Sequence, residues 1–131
     1  MAVESSPVHQ LYDVAEGLNY LHSRNVVHGN IKGGVATHYT PSYKNNLIGH
    51  VQTNILVEQS GRARVTDFSL ATINHSRCST CGVAKIYNDT RWTAPEVLEQ
   101  TRPLTKEADV FSFAMVVVEV SRGARHAVTS S

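Results

Sequence analysis

The stretch from Asp109 to Val120 most strongly constrains how this 131-residue chain can fold. A helix over these residues would be apolar on nearly all of its faces. Such a helix is stable only when it is buried in a larger body. Ser112 and Glu119 interrupt the stretch, which is also far shorter than the roughly 20 apolar residues that cross a bilayer. The pattern therefore predicts a core helix, for which the rest of the chain offers little cover, and no membrane span.

Length and composition fit one globular domain or a part of one. Hydrophobic residues make up 41% of the chain and charged residues 18%, which is enough apolar material for a core. A formal charge of +1 gives no reason to expect a nucleic acid or an anionic membrane as partner. Cys78 and Cys81 are too few for a disulfide framework, and residues 1–6 do not look like a signal peptide. We expect an intracellular, cytoplasmic protein.

The first half of the chain predicts one helix, a short strand and a hairpin. Apolar residues recur at steps of three and four between positions 8 and 23, which is typical of an amphipathic helix with one buried stripe. The residues of that stripe are Val8, Leu11, Tyr12, Ala15, Leu18 and Leu21. Val26 and Val27 make a short apolar step. Residues 54–67 predict a β-hairpin that turns at 59–61 and has Asp67 at its exit.

The second half predicts a long loop, two helices and a tail. Residues 75–93 show no sustained period, which indicates a loop of the length that usually carries function. Pro95 suits the first turn of a short helix, with Thr93 or a near neighbour as its N-cap. The core helix of 109–120 follows. Residues 121–131 form a polar tail in which Gly123 is the expected helix stop.

Three short blocks follow one another in a set order. They are His28-Gly29-Asn30-Ile31-Lys32 with Asn54 downstream, then Asp67-Phe68-Ser69, then Ala94-Pro95-Glu96. The set resembles the catalytic loop, the D-F-G metal site and the A-P-E element of a eukaryotic protein kinase. The flanking residues 19–22, 91–93 and 109–113 add to the resemblance. The sequence of the blocks is most similar to the tyrosine-kinase-like group of Ser/Thr type.

The resemblance runs from about Leu11 to Val120, apart from one insertion, and implies a fold. We expect residues 1–131 to be a single partial kinase domain, the C-terminal lobe from the catalytic loop to the buried helix. Its fold class would be α+β, mainly α, with one small β-hairpin.

The resemblance also implies roles for individual residues. Asp67 and Asn54 would hold Mg²⁺ against the phosphates of ATP, because hard cations prefer oxygen ligands. Lys32 would place a point charge near the transferred phosphate, which favours Ser/Thr over Tyr substrates. Asp109 would cap the catalytic loop from the buried helix. The other positions with a structural role are His28, Phe68 and Glu96.

Departures from the family pattern are equally informative. Asn30 stands at the position of the catalytic base, where the family has Asp, and an amide cannot accept the proton of a substrate hydroxyl. Gly29 replaces the arginine that in the family would bind a phosphate on the activation segment. Ser79, Thr80 and Thr90 lie where that segment is phosphorylated in the family. Ser69 replaces a flexible glycine.

An insertion separates the two halves of the catalytic loop. Asn30 and Asn54 are 24 positions apart, where the family motif has 5. Removing residues 34–52, which correspond to 57 nucleotides in frame, restores the family spacing. We interpret the segment as a retained intron or, alternatively, as a genuine surface loop.

The sequence contains neither the glycine-rich phosphate loop nor the strand lysine of a kinase, so the chain alone is not expected to bind ATP tightly. The family transfers phosphate from ATP to protein Ser/Thr. We predict that this chain is a degenerate, catalytically impaired fragment of such a kinase, with a protein as substrate or partner. The alternatives are a pseudokinase that acts as a protein-binding module and a truncated or mis-spliced product without function. His75, Cys78 and Cys81 have a spacing that could ligate zinc, but we interpret them as part of a solvated loop.

Overall fold

The computed structural model describes residues 6–33, 54–58, 60–73, 90–99 and 104–128. The elements in chain order are α1 (Pro7–Ser23), β1 (Val26–Val27), β2 (Ile55–Val57), β3 (Ala63–Val65), β4 (Thr72–Ile73), α2 (Pro95–Leu98) and α3 (Lys106–Val128). Two long helices and short antiparallel strands make the described part α+β and mainly α, as predicted. The insertion, most of the loop 75–93 and the last residues of the tail lie outside the described residues.

Helix α1 forms where the sequence predicts it, but its buried stripe is shifted. The helix begins at Pro7, and the Ser6 hydroxyl accepts a hydrogen bond from an N–H of the first turn at 3.3 Å. Val14, which the predicted stripe omits, and Leu18 are the buried residues. Val8 and Tyr12 were expected inside, which is wrong: they are 72% and 62% exposed. An apolar stripe spans only about 100° of a helix, and one centred on Val14 and Leu18 leaves them outside.

The predicted hairpin is confirmed, and a second strand pair accompanies it. Strands β2 and β3 pair antiparallel, with Ile55 opposite Val65, and Gly61 supplies a positive φ of 82° in the turn between them. Strands β1 and β4 form another antiparallel pair, with Val27 opposite Thr72. The sequence did not predict β4, because a strand of two residues is too short to show an alternating pattern.

The hydrophobic core lies where α1, the β2–β3 hairpin and α3 meet. Its buried members are Val14, Leu18, Ile31, Ala63 and Val116. Asp13 of α1 ties the hairpin to this helix, since its carboxylate accepts from the Ala63 N–H at 3.0 Å and pairs with the Arg62 guanidinium at 2.8 Å. Ile31, in the loop that follows β1, is therefore packed into the same core as the two long helices.

Helix α2 agrees with the prediction, whereas the end of α3 does not. Helix α2 begins at Pro95 as expected, its N-cap is Ala94, the neighbour of Thr93, and no side chain caps it. Helix α3 begins at Lys106, where the Thr105 hydroxyl accepts from the N–H of Ala108 at 3.2 Å. Its backbone stays helical to Val128, so the expected stop at Gly123 is wrong. A glycine inside a helix costs about 1 kcal/mol relative to alanine, which tertiary context overrides.

Helix α3 is covered on one face only within the described part of the chain. Asp109, Ser112 and Val116 are buried, whereas Val110 is 56% and Val118 is 41% exposed. This agrees with the prediction that the chain offers such an apolar helix little cover. Neither long helix combines the length and hydropathy of a membrane span in the residues that the structure describes.

Candidate active site

A loop of six residues, 28–33, leaves β1 and is held at its start by a carboxylate of α3. Asp109, which is only 1% exposed, receives three hydrogen bonds of 2.8 Å each. Two come from the backbone N–H groups of His28 and Gly29, and the third from Nε2 of His22 in the last turn of α1. Because a buried carboxylate needs such donors, the start of the loop is fixed relative to both long helices.

The His28 imidazole lies beneath the loop and is fully buried. Its Nδ1 accepts from the Asn30 N–H at 3.2 Å, which assigns the proton to Nε2, and Nε2 donates to the Thr66 carbonyl at 3.0 Å. Burial lowers the pKa of His28 below its ordinary value of 6.5, since desolvation disfavours the charged ring. The Phe68 ring meets the imidazole edge to face, with 5.0 Å between centroids. His28 thus links the loop to the segment that carries Asp67.

Asn30 faces the carboxylate of Asp67. Its side-chain Nδ2 lies 3.4 Å from Oδ2 of Asp67 in an exposed position, so the amide donates to the carboxylate. The backbone carbonyl of Asn30 accepts from Nδ2 of Asn54 at 2.6 Å. The structure therefore brings together three of the predicted site residues, with Asn30 between the other two.

Asp67 has a backbone and an ionisation state typical of a functional carboxylate. Its φ is 61°, a left-handed conformation that non-glycine residues adopt mainly where the surroundings enforce it. Hydrogen bonds from the hydroxyl and the backbone N–H of Ser69 lower the pKa of Asp67 below its ordinary value, and the positive charge of Lys32 adds to the effect. Asp67 is therefore an anion at neutral pH.

Asn54 follows residues 34–52 in the chain and is hydrogen-bonded to the loop 28–33. It is 4% exposed, its N–H donates to the Lys32 carbonyl at 3.3 Å, and its own carbonyl accepts from the Thr66 N–H at 2.8 Å. Since the side-chain Nδ2 is engaged with Asn30, the amide oxygen is the atom of Asn54 that remains for a ligand.

The remaining predicted residues lie at different depths. Lys32 is 6% exposed on the loop, and Phe68 is 48% exposed beside His28. Glu96 lies half-buried on α2.

The donor set around Asp67 fits a magnesium ion that is shared with a phosphate ligand. One carboxylate and one amide oxygen are hard donors, and Mg²⁺ is commonly bound by one or two protein ligands together with phosphate oxygens and water. Within the described ranges, no group of three or more His, Cys, Asp or Glu side chains forms a self-contained metal site. Residues 75–81, with the zinc-like spacing, lie outside those ranges.

Two residues of the site were missed from the sequence. His22 lies in the block 19–22, but the sequence analysis gave it no role. The signal that could have found it is an imidazole in the last turn of the helix that leads into the loop. Thr66 acts only through its backbone groups, which accept from His28 and donate to Asn54. No sequence pattern reports such a role.

Comparison with known proteins gives a consistent result. The family model described as protein tyrosine and serine/threonine kinase matches residues 51–130. A leucine-rich repeat receptor-like protein kinase, PXC2 of Arabidopsis thaliana, is 33% identical over 113 residues, which are 86% of this chain and 10% of that protein. The probable serine/threonine-protein kinase drkD of Dictyostelium discoideum is 35% identical over 83% of this chain and 7% of its own length.

A third relative extends the pattern. The serine/threonine-protein kinase STY17 of Arabidopsis thaliana is 32% identical over 85% of this chain and 15% of its own length. The chain thus spans only a small part of each of these three relatives.

Proposed function

The chain belongs to the protein tyrosine and serine/threonine kinase family, and we propose that it is a catalytically impaired segment of the C-terminal lobe. In this proposal residues 28–33 are the catalytic loop, Asp67 and Asn54 are the metal ligands, and Asn30 occupies the position of the base. The family's reaction is the transfer of phosphate from ATP to a protein hydroxyl, and the relatives support Ser/Thr as acceptor.

The contact between Asn30 and Asp67 carries the proposal. A base at this position has to accept the proton of the substrate hydroxyl, whereas the Asn30 amide presents Nδ2 and donates toward Asp67 at 3.4 Å. General-base help contributes about 10²- to 10⁴-fold to the rate of an enzyme. A chain with Asn30 therefore keeps the shape of the loop and lacks its proton acceptor.

In this proposal both residues that would hold Mg²⁺ keep suitable donor atoms. The Asp67 carboxylate is ionised at neutral pH, and the oxygen of Asn54 is left for a cation. A bound Mg²⁺ would neutralise charge on the phosphates. Lys32 follows the base position by two residues and lies close enough for its charge to lower the pKa of Asp67. We assign to Lys32 the positioning of the transferred phosphate, with Ser/Thr as the acceptor class.

The segment 34–52 is proposed to be an insertion between two parts of one loop. Asn54 donates to the backbone carbonyls of Asn30 and Lys32, so the residues on either side of the insertion are neighbours in space. The family match begins at residue 51, at the end of the inserted segment. Comparison of the transcript with genomic DNA tests the origin: a shorter transcript that lacks these 57 nucleotides identifies a retained intron, and its absence identifies a surface loop.

The experiment is a phosphate-transfer assay of the full chain at millimolar Mg²⁺ and radiolabelled ATP, with casein as acceptor. Asn30→Asp restores a proton acceptor, and Asp67→Asn removes the metal carboxylate as the background control. We expect the wild-type rate to be about 10²- to 10⁴-fold below that of Asn30→Asp. Equal rates for the wild type and Asn30→Asp, whether both are measurable or both absent, contradict the assignment of the impairment to Asn30.

A second candidate function is a protein-binding module without catalysis. The observation that favours it is the apolar exposed face of α3, with Val110, Phe111 and Val118 between 37% and 56% exposed. Such a module needs the fold but not the chemistry. A cooperative thermal transition that Asp67→Asn leaves unchanged, together with no phosphate transfer by any variant, favours this function over the enzyme.

A further inference from the structure

Ser69 occupies a turn that does not require a glycine. The carbonyl of Phe68 accepts from the N–H of Ala71 at 3.0 Å, which closes a turn with Ser69 inside it. Among the described residues, positive φ angles outside glycine occur only at Asn25 and Asp67, so Ser69 has a backbone conformation that is open to other residues. Serine therefore replaces the glycine of the family pattern without backbone strain, and it adds a hydroxyl that glycine does not have.

Both donors of Ser69 are directed at the carboxylate of Asp67. The backbone N–H donates to Oδ1 at 3.2 Å, which is the geometry of an Asx turn. The hydroxyl of Ser69 donates to the same carboxylate. Any residue but proline can supply the N–H, whereas the second bond depends on the serine side chain. The hydroxyl is thus what this chain adds to the contacts of Asp67.

The other oxygen of Asp67 faces the loop 28–33. Oδ2 lies 3.4 Å from Nδ2 of Asn30, which is longer than a strong hydrogen bond. The carbonyl of Asn30 accepts from Nδ2 of Asn54, so the amide oxygen of Asn54 is left for a ligand. The terminal torsion of an aspartate has broad minima, and the two bonds from Ser69 restrain it. They hold the carboxylate to its own segment and leave Oδ2 on the side of the loop.

We propose that Ser69 is a positioning residue whose hydroxyl holds the Asp67 carboxylate with Oδ2 turned toward the loop, where a divalent cation would meet it. The inference rests on the proposed function for the assignment of Asp67 and Asn54 as metal ligands. It adds a residue outside that ligand set. Carboxylates that bind metals are commonly hydrogen-bonded themselves, and loss of such a partner costs about 10- to 100-fold in metal affinity.

A donor can also compete with a cation for a carboxylate, but the geometry favours positioning. The N–H of Ser69 lies on Oδ1, whereas the loop approaches Oδ2. An ionised carboxylate has about four lone-pair sites on its two oxygens, so a cation at Oδ2 can be bound while Ser69 keeps its bonds. The two roles differ in sign: a positioning hydroxyl strengthens metal binding, and a competing hydroxyl weakens it.

The first test measures Mn²⁺ binding by the full chain without nucleotide, from the electron paramagnetic resonance signal of free Mn²⁺. Mn²⁺ is a suitable probe because it shares with Mg²⁺ the preference for carboxylate and carbonyl oxygens. Ser69→Ala is expected to weaken binding by about 10- to 100-fold. Ser69→Thr keeps the hydroxyl and should retain most of the wild-type affinity. An affinity of Ser69→Ala equal to or above that of the wild type would overturn the proposal.

Ser60 supplies the matched control for this measurement. It also lies two residues after an acidic residue, and its hydroxyl donates to Oε2 of Glu58 at 3.3 Å in an exposed turn. Ser60→Ala removes the same kind of bond in the hairpin and should leave the Mn²⁺ affinity unchanged.

Asp67→Asn separates the inference from the proposed function. Equal binding by this variant and the wild type, or none by either, contradicts the metal ligands of the proposed function and with them the role of Ser69. A loss of binding in Asp67→Asn without a loss in Ser69→Ala contradicts the inference alone.

The second test needs neither metal nor ATP and is a double-mutant cycle read by thermal unfolding in EDTA. Ser69→Ala should lower Tm by about 2 °C, because an exposed hydrogen bond to a carboxylate is lost. In the Asp67→Ala background the same substitution should have little effect, since the acceptor is already gone. Equal effects in both backgrounds would show that the hydroxyl does not hold Asp67, which would also overturn the proposal.

Discussion

Two sides of the same loop are built in opposite ways. The buried anchor consists of His22, His28, Gly29 and Asp109, with hydrogen bonds of 2.8 Å to a carboxylate that is 1% exposed. The exposed pair consists of Asn30, which is half-buried, and Asp67, which is exposed, and their side chains approach to 3.4 Å in a solvent-exposed contact. The anchor sets where the loop lies, and the pair lies at its solvent side.

The difference shows that the contacts that hold the loop are separate from the groups that would take part in its chemistry. An unpaired donor or acceptor in the buried anchor costs the full desolvation of that group, whereas a weak contact at the surface contributes little. A change from carboxylate to amide at Asn30 therefore alters the chemistry without disturbing the loop. The predictions below test this separation in order of decreasing effect.

The largest effect is expected from Asp109→Ala, which breaks the buried anchor. The substitution leaves the N–H groups of His28 and Gly29 without their acceptor, and we expect a loss of about 3–5 kcal/mol in the free energy of unfolding. Urea denaturation measures this loss. Val110→Ala, one residue along α3 and 56% exposed, is the control and should stay within about 0.5 kcal/mol of the wild type. A loss for Asp109→Ala no larger than that of the control would show that the anchor is not what holds the loop.

The next effect concerns residues 34–52, which separate Gly33 from Thr53 and Asn54 in the chain. Deletion of residues 34–52 leaves Gly33 joined to Asn54 through Thr53, and the contacts of Asn54 with Asn30 and Lys32 already hold these ends together. Shortening the closed loop should raise the free energy of unfolding by about 1–2 kcal/mol. Urea denaturation measures it, and replacement of 34–52 by a Gly/Ser linker of equal length is the control. A destabilised deletion variant would mean that the segment belongs to the fold.

The sequence predicts the anchor and the pair unequally well. Periodicity located α1, a run apolar on nearly all sides located α3, and turn residues located the hairpin, because these signals are local. The blocks around Asn30, Asn54 and Asp67 predicted that these residues share a site through the resemblance to the kinase family, and the structure brings their side chains together. The resemblance also led us to expect that Asp109 holds the loop, and the structure gives it the N–H groups of His28 and Gly29. The third donor, His22, was not predicted, because it meets Asp109 only after the chain has folded.

The misses have related causes. Strand β4 pairs with β1 in the register Val27 to Thr72 and Val26 to Ile73, 45 and 47 positions apart, which no local pattern encodes. Gly123 did not end α3, since a tertiary environment outweighs the small cost of a glycine.

The pH dependence of stability tests the anchor through His28. Burial lowers the pKa of His28 in the folded state below the ordinary value of 6.5, so the unfolded chain binds more protons as the pH falls through that value. The contribution of His28 is therefore fully present above about pH 6.5 and is lost progressively below it, until the folded-state pKa is reached. Unfolding free energies between pH 5 and 8 should show a shallower slope for His28→Gln.

His9 provides the matched control for this profile. It lies exposed on α1, and His9→Gln removes an imidazole without touching the loop. Its profile should follow that of the wild type. If His28→Gln retains the full wild-type slope, then His28 does not couple the loop to pH.

The smallest effect is expected for Asn30→Asp, which changes the exposed pair alone. A second carboxylate would face that of Asp67 across the present 3.4 Å contact, and like charges at a surface repel by less than about 1 kcal/mol. The unfolding free energy in EDTA should fall by that amount. Mg²⁺ should restore it in Asn30→Asp more than it stabilises the wild type, because a divalent cation bound between two carboxylates removes their repulsion. Asn30→Ala removes the amide without adding a charge and should show no such gain with Mg²⁺. If Asn30→Asp proves as costly as Asp109→Ala, then shape and chemistry are not stabilised separately, and the amide at position 30 is part of what holds the loop.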